Sequence, residues 1–235
     1  MEQRNNSFLK AEVIKGSNRV YKRGLVQAGE GNISVRIPNI DEFYITPTFN
    51  QYEGLQESDL VHMKFDGTIL SEGRKPSSEY RLHVAVYQAR PKVMAVIHTH
   101  SPYATMMSAA RKEIPVLIEE QVIFLGGYVG ISEFASAHTK EFSANVIKAL
   151  GTRNGTLMAN HGVLVCGQTM EHAVKMAELV EKLAWIHYGA TQVGGTHVIS
   201  EKSCPMFIDE FEEKFATHTE EMAKCESDEF EKINK

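Results

Sequence analysis

The stretch Val93-Met94-Ala95-Val96-Ile97-His98-Thr99-His100-Ser101-Pro102 changes character at its midpoint. Its first half is a continuous apolar run of the kind buried within a sheet. Its end, Ser101-Pro102, reads as an N-cap followed by the first helical position of a segment through Ala110. A buried strand over 93–100 therefore passes directly into a helix, which is an α/β signature. Strand side chains alternate faces with period two, so His98 and His100 project from the same side. Two imidazoles spaced in that way form a chelate, and it lies at a strand-to-helix junction, where clefts form.

Working outward, Phe8 to Leu25 has helical spacing, and Ala28-Gly29-Glu30-Gly31-Asn32 reads as a turn into a strand over Ile33–Ile37. Phe43-Tyr44-Ile45 reads as a second strand, halted by Pro47, and Asp66-Gly67 between Leu60–Phe65 and Thr68–Leu70 signals a hairpin. Helices are predicted over 78–90 and 133–150, the latter ended by Gly151. Thr156–Ala159 and Val163–Cys166 read as short strands around Asn160-His161-Gly162, after which Thr169 caps a helix from Met170 to Tyr188. The pattern predicts helices on both faces of a mixed, partly antiparallel sheet.

A chain of 235 residues with 43% hydrophobic content suits one domain over 1–235 with a core that needs no staples. Cys166, Cys204 and Cys225 are too few and scattered for a disulfide framework or a cysteine zinc site, which points to a reducing compartment. The first six residues lack the apolar core of a signal peptide, and no apolar run approaches the ~20 residues needed to cross a bilayer, so a cytoplasmic protein without membrane contact is expected. The net charge of −5 is concentrated in residues 201–235, an acidic tail holding eleven acids and five lysines. The rest is near neutral and carries no basic stripe, which argues against nucleic-acid binding. Phe207, Phe211 and Phe215 recur every four residues in the tail and predict an amphipathic helix that docks on the body or on a neighbouring subunit.

A catalytic zinc commonly takes three protein ligands and leaves one position open, so the histidine pair needs a third partner. His161 is the best placed, in a sharp bend at a strand end, although a histidine in such a turn is by itself more often a simple hydrogen-bonding residue. The other seven histidines, His83 among them, are assigned to the surface or to ordinary packing. Pro76-Ser77-Ser78-Glu79 places a carboxylate in the first turn of a helix beside two hydroxyls. First-turn amides and serine hydroxyls suit a phosphate, while Glu79 either faces a metal or merely complements the helix dipole. Gly29-Glu30-Gly31-Asn32 is open to two readings, an amide nest for an anion or a tight turn.

Taken in order, Gly31-Asn32-Ile33-Ser34-Val35-Arg36, Ile45-Thr46-Pro47-Thr48, Lys75-Pro76-Ser77-Ser78-Glu79-Tyr80-Arg81-Leu82-His83, His98-Thr99-His100 and Asn160-His161-Gly162 resemble the class II aldolase/adducin family, and within it the metal-dependent sugar-phosphate aldolases. The resemblance covers roughly residues 8 to 190. It implies a three-layer α/β/α fold and a homotetramer with sites between subunits. It also implies that His98, His100 and His161 bind a divalent metal, usually zinc, with manganese or cobalt as alternatives. Glu79 is implied as a fourth ligand that becomes the acid/base when substrate displaces it. Gly31, Asn32, Thr48, Ser77 and Ser78 match the residues that bind substrate, chiefly its phosphate.

The implied reaction is retro-aldol cleavage of a ketose 1-phosphate to dihydroxyacetone phosphate and an aldehyde, in which a Lewis acid stabilises the enediolate without a Schiff-base lysine. A 4-epimerase and a methylthioribulose-phosphate-type dehydratase share the family, and an adducin-like scaffold predicts eroded ligands, which are intact here. A cupin needs an all-β pattern, and the metallo-β-lactamase motif needs an aspartate near Pro102; neither fits. The chain departs from the close aldolases at Phe49, where they have glycine, and in the loop at Gly29 and Glu30. It has no tyrosine beyond Tyr188 or in Ile118-Glu119-Glu120-Gln121, where Glu119 or Glu120 offers a second acid/base group.

Overall fold

The computed structural model describes residues 2–223 except 28, 50, 201, 202 and 221. Helix α1 (Glu2–Lys22) leads into strands β1 (Asn32–Arg36) and β2 (Glu42–Ile45), and a 3-10 turn over Glu57–Asp59 precedes β3 (Val61–Lys64). Then come α2 (Tyr80–Ala89), β4 (Ala95–Thr99), α3 (Pro102–Ala109), α4 (Glu119–Leu125), β5 (Gly130–Ile131) and α5 (Lys140–Leu150). The described chain continues with β6 (Gly155–Met158), β7 (Gly162–Gly167), α6 (Met170–Gln192) and α7 (Pro205–Lys214). The strands form one sheet in the order β3-β2-β1-β4-β7-β6-β5. Among the described residues only β5 and β6 pair in parallel, so the mixed sheet is mostly antiparallel.

Strand alternation divides the core in two. Ala95 and Ile97 of β4 pack with Val13 and Val20 of α1 and Ala177 and Val180 of α6. Val96 packs on the opposite face with Leu82 and Val86 of α2 and Phe142 and Val146 of α5. The result is the three-layer α/β/α arrangement, with His98 on the α2/α5 side because it follows Val96 by two residues. Among the described residues no helix is long and apolar enough to cross a membrane.

Several boundaries differ from those expected. The helix predicted over 133–150 starts only at Lys140, because the Thr139 hydroxyl accepts from Phe142 N at 3.1 Å and caps it there. Phe134 before it is exposed and contributes to no buried stripe. Helix α2 begins at Tyr80, so Ser78 lies in the preceding turn and Glu79 is the N-cap. The hairpin at Asp66-Gly67 forms, but its second arm shrinks to a bridge between Met63 and Ile69. Exposed Ile69 and Leu70 have no layer to pack against at that sheet edge. Ser101 occupies the N-cap position of α3 without a side-chain bond. Glu181 of α6 accepts from Tyr103 N at 3.0 Å and Ala104 N at 2.9 Å instead, a cap supplied from another element.

The tail helix docks on its own chain. Phe211 is buried and its ring fills the space where Gly126 lacks a side chain, 2.5 Å from the position a Cβ would take. Phe215 meets Phe124 edge-on, and Asn154 Nδ2 donates to Phe215 O at 2.7 Å. The last dozen residues of the acidic tail, with Cys225, lie outside the described residues.

Candidate metal centre

The hairpin between β6 and β7 carries His161. Asn160 sits at φ 55°, a left-handed conformation that asparagine tolerates and that turns the chain sharply. Arg111 Nε and Nη2 hold Asn160 Oδ1 at 3.0 and 2.8 Å, and the Ser108 hydroxyl accepts from His161 N at 3.2 Å. Gly162 must be glycine: a Cβ there would collide with the Thr99 carbonyl oxygen and the edges of the His98 and His100 rings. Strand pairing brings in the other side, since Asn32 of β1 lies directly opposite His98 of β4. Gly31, at φ 63°, lets the chain pass the His98 carbonyl, which a Cβ would approach to 2.6 Å.

His98, His100 and His161 converge so that their ligand nitrogens all lie within 4.8 Å of one another. His98 Nε2 is 3.0 Å from His100 Nε2 and 3.2 Å from His161 Nε2. Glu79 closes the group, with Oε2 3.2 Å from His98 Nε2 and Oε1 3.1 Å from His161 Nε2. These four separations are near the edge of about 3.3 Å between ligands held at about 2.0 Å from one ion, and the three histidine nitrogens together span no more than 4.8 Å. His98 Nδ1 donates to the Val163 carbonyl at 2.8 Å, which leaves Nε2 as the nitrogen that faces the cluster. Buried Glu79 Oε1 accepts no hydrogen bond. An orphaned carboxylate oxygen beside three imidazoles fits a divalent cation.

The electrostatics agree. Burial opposes ionisation of Glu79, but His98 and His161 outweigh it and hold the carboxyl well below the usual range. Burial lowers the His98 pKa, and the Glu79 carboxylate more than reverses this, so positive charge is favoured at that point. His100 is pulled down to about 4 by burial and by its two histidine neighbours, which keeps its ring neutral and able to coordinate.

The segments of Thr48 and Ser77 pair with each other just ahead of Glu79. Thr48 N donates to Lys75 O at 3.0 Å and Ser77 N to Thr46 O at 3.1 Å, which sets Thr48 and Ser77 on adjacent segments. Ser77 is buried and Ser78 exposed. Part of the expected anion seat is already engaged, because Glu79 N donates to Ser77 Oγ at 3.3 Å and Tyr80 N to Ser77 O at 3.2 Å. The Asn32 amide is engaged as well, by Glu79 Oε2 at 2.9 Å and His83 Nε2 at 2.5 Å. Glu119 and Glu120 are exposed on α4, Glu120 pairs with Lys182 at 3.1 Å, and neither bonds to the histidine cluster. Gly29 and Glu30 form a tight turn, with the Glu30 carbonyl held by the Tyr52 hydroxyl at 2.7 Å.

Sequence reasoning passed over His83. It is fully buried next to the site, and its spacing could have revealed it, since Glu79, His83 and Tyr87 follow one another at i, i+4 and i+8 on one helix face.

The sequence pattern described as the Class II Aldolase and Adducin N-terminal domain matches residues 11–188. The chain belongs to this family. Within the class II aldolase and adducin family, it is 33% identical over 204 residues to the L-fuculose phosphate aldolase of Escherichia coli K12, covering 86% of this chain and 94% of that one. It is 30% identical over 203 residues to the 5-methylthioribulose-1-phosphate/5-deoxyribulose-1-phosphate aldolase of Rhodospirillum rubrum, covering 86% and 90%. Its fold superposes on a solved L-fuculose 1-phosphate aldolase with a TM-score of 0.83 at 32% identity, over 88% of this chain and 97% of the other. The protein is thus an enzyme of the class II aldolase type.

Proposed function

We propose that this class II aldolase cleaves a ketose 1-phosphate, or a similar sugar phosphate, to dihydroxyacetone phosphate and an aldehyde. The observation that carries the reading is the convergence of Glu79 on His98, His100 and His161, in a chain that aligns with sugar-phosphate aldolases along most of its length. The three histidines hold a divalent cation, zinc in first place, with Glu79 as fourth ligand. Such a cation supplies Lewis-acid stabilisation of the negative charge that builds on adjacent substrate oxygens as the C3–C4 bond breaks. Glu79, displaced by substrate, delivers the proton to C3 of the dihydroxyacetone-phosphate half, and removes it in the condensation direction. Asn32, Thr48, Ser77 and Ser78 hold the phosphate, and Gly31 belongs to the same substrate-binding set.

A homotetramer with sites between subunits belongs to the same reading. It is supported by the exposed aromatic side chains of Trp185 and Tyr188, and such an assembly offers the exposed Glu119 or Glu120 to a neighbour's site as a second acid/base group. A cytoplasmic setting is supported by Cys166 and Cys204, both free and buried.

The test is condensation of dihydroxyacetone phosphate with a panel of short aldehydes, which EDTA must abolish and added zinc restore. Failure with every aldehyde, together with turnover of a pentulose phosphate to its epimer, overturns the aldolase reading. The Glu79→Gln variant is expected to take up zinc at saturating metal but to lose hydrogen exchange at C3 of dihydroxyacetone phosphate. Unchanged exchange removes Glu79 from the mechanism.

A further inference from the structure

The Glu79 carboxylate is tied to the protein interior by a run of buried polar groups that the aldol chemistry does not use. Asn32 Nδ2 donates to Glu79 Oε2 at 2.9 Å, and Asn32 Oδ1 lies 2.5 Å from His83 Nε2. His83 Nδ1 is 2.6 Å from Ser34 Oγ, which is 2.6 Å from the Tyr87 hydroxyl. Ser34, His83 and Tyr87 are fully buried, and Asn32 is 2% exposed. Four polar side chains withdrawn from water in one line are costly unless every bond is made with the right polarity.

The polarity is forced. A carboxylate oxygen accepts, so Asn32 turns its NH2 toward Glu79 and its carbonyl toward His83. His83 must then carry its proton on Nε2, which leaves Nδ1 to accept from Ser34, whose oxygen accepts from Tyr87. Burial pushes the His83 pKa down to about 3, so the ring stays neutral with one donor and one acceptor nitrogen. The opposite polarity would set the Asn32 carbonyl oxygen against a carboxylate oxygen. A carboxamide does not relay a proton along this line, so the chain transmits orientation.

We propose that His83 is a positioning residue for Glu79: by locking the Asn32 amide with its NH2 toward the carboxylate, it sets where Glu79 Oε2 points relative to His98. One carboxylate oxygen is thereby anchored, while Oε1 accepts no hydrogen bond and stays available to the cation. The inference rests on the reading of Glu79 as ligand and proton carrier.

The test compares His83→Phe, which fills the space but makes neither bond, with His83→Gln, whose amide can donate to Asn32 and accept from Ser34. Zinc affinity is read by competition with a chromophoric chelator, thermal melting reports folding, and kcat and KM are measured on the cleavage reaction. Folded H83F is expected to bind zinc about tenfold more weakly, the usual scale for losing a partner that orients a ligand. Its kcat is expected to fall while KM stays near wild type, because a misaligned Glu79 slows proton transfer rather than substrate binding. H83Q is expected to recover both toward wild type. Wild-type zinc affinity and wild-type kcat in folded H83F overturn the proposal. Should H83F fail to fold, Asn32→Leu removes the same donor from Glu79, and wild-type zinc affinity in N32L overturns it equally. E79Q separates the two levels. If E79Q keeps wild-type zinc affinity and proton exchange, the reading of Glu79 fails and this proposal with it; if E79Q loses both while H83F loses neither, only the positioning role fails.

Discussion

His98 Nδ1 donates to the Val163 carbonyl at 2.8 Å, and this one bond decides which nitrogen of the ring faces His100 and His161. A carbonyl only accepts, so Nδ1 holds the proton and Nε2 is free to bind a metal. Zinc at about 100 times its Kd is therefore expected to raise the unfolding free energy by about 2.7 kcal/mol, provided it binds the native state alone. Urea melts with zinc and with EDTA measure the gain, and His98→Ala is expected to abolish it.

Gly162 and Gly189 separate close approach from simple helix propensity. A methyl group at Gly162 would strike the Thr99 carbonyl and the rings of His98 and His100, whereas nothing lies within 4 Å of one at Gly189 in α6. Gly162→Ala is expected to cost about 1–3 kcal/mol and to weaken zinc binding, as overpacking does. Gly189→Ala is expected to stabilise by up to about 1 kcal/mol and leave zinc binding unchanged. Denaturant melts and metal titration of the two variants check the contrast.

His83 gives the fold an acid-side dependence. Its pKa falls from 6.5 to about 3 through burial. Below pH 6.5 the unfolded chain therefore takes up a proton that the native state refuses, and stability drops as pH falls toward about 3. For one proton the slope reaches at most about 1.4 kcal/mol per pH unit. Urea melts in EDTA between about pH 7 and about pH 5 are expected to show a shallower slope for His83→Gln than for wild type.

Phe211 joins α7 to α4 by filling the notch at Gly126. Phe211→Ala is expected to cost about 3–5 kcal/mol, the range for emptying a buried aromatic site. It also frees the segment whose carbonyls at Phe215 and Ala216 are held by Asn154 and Gln168. Limited proteolysis is expected to cut the variant near residues 203–218 well before wild type.

The elements that built the site were legible wherever the signal was local. Period-two alternation set His98 and His100 on one face, Asn160-His161-Gly162 announced a tight turn, and Thr169 announced the start of α6, whose side chain accepts from His172 N at 3.1 Å. The helix expected over 133–150 starts only at Lys140, where the cap at Thr139 decides the boundary. Ser101 was read as a cap for α3, but the α3 amides take their acceptors from Glu181, 78 residues away from Tyr103.

Residue types and their spacing thus carry the fold class, the histidine pair and the family. Distances in the chain carry no information on what meets across the sheet, and that is where the site was completed. Antiparallel pairing of β1 with β4 sets Asn32 opposite His98, and the three layers bury His83 beneath it. A buried polar group must find its partner wherever the packing puts one, so the bonds from Tyr87 through Ser34, His83 and Asn32 to Glu79 exist only in the folded chain.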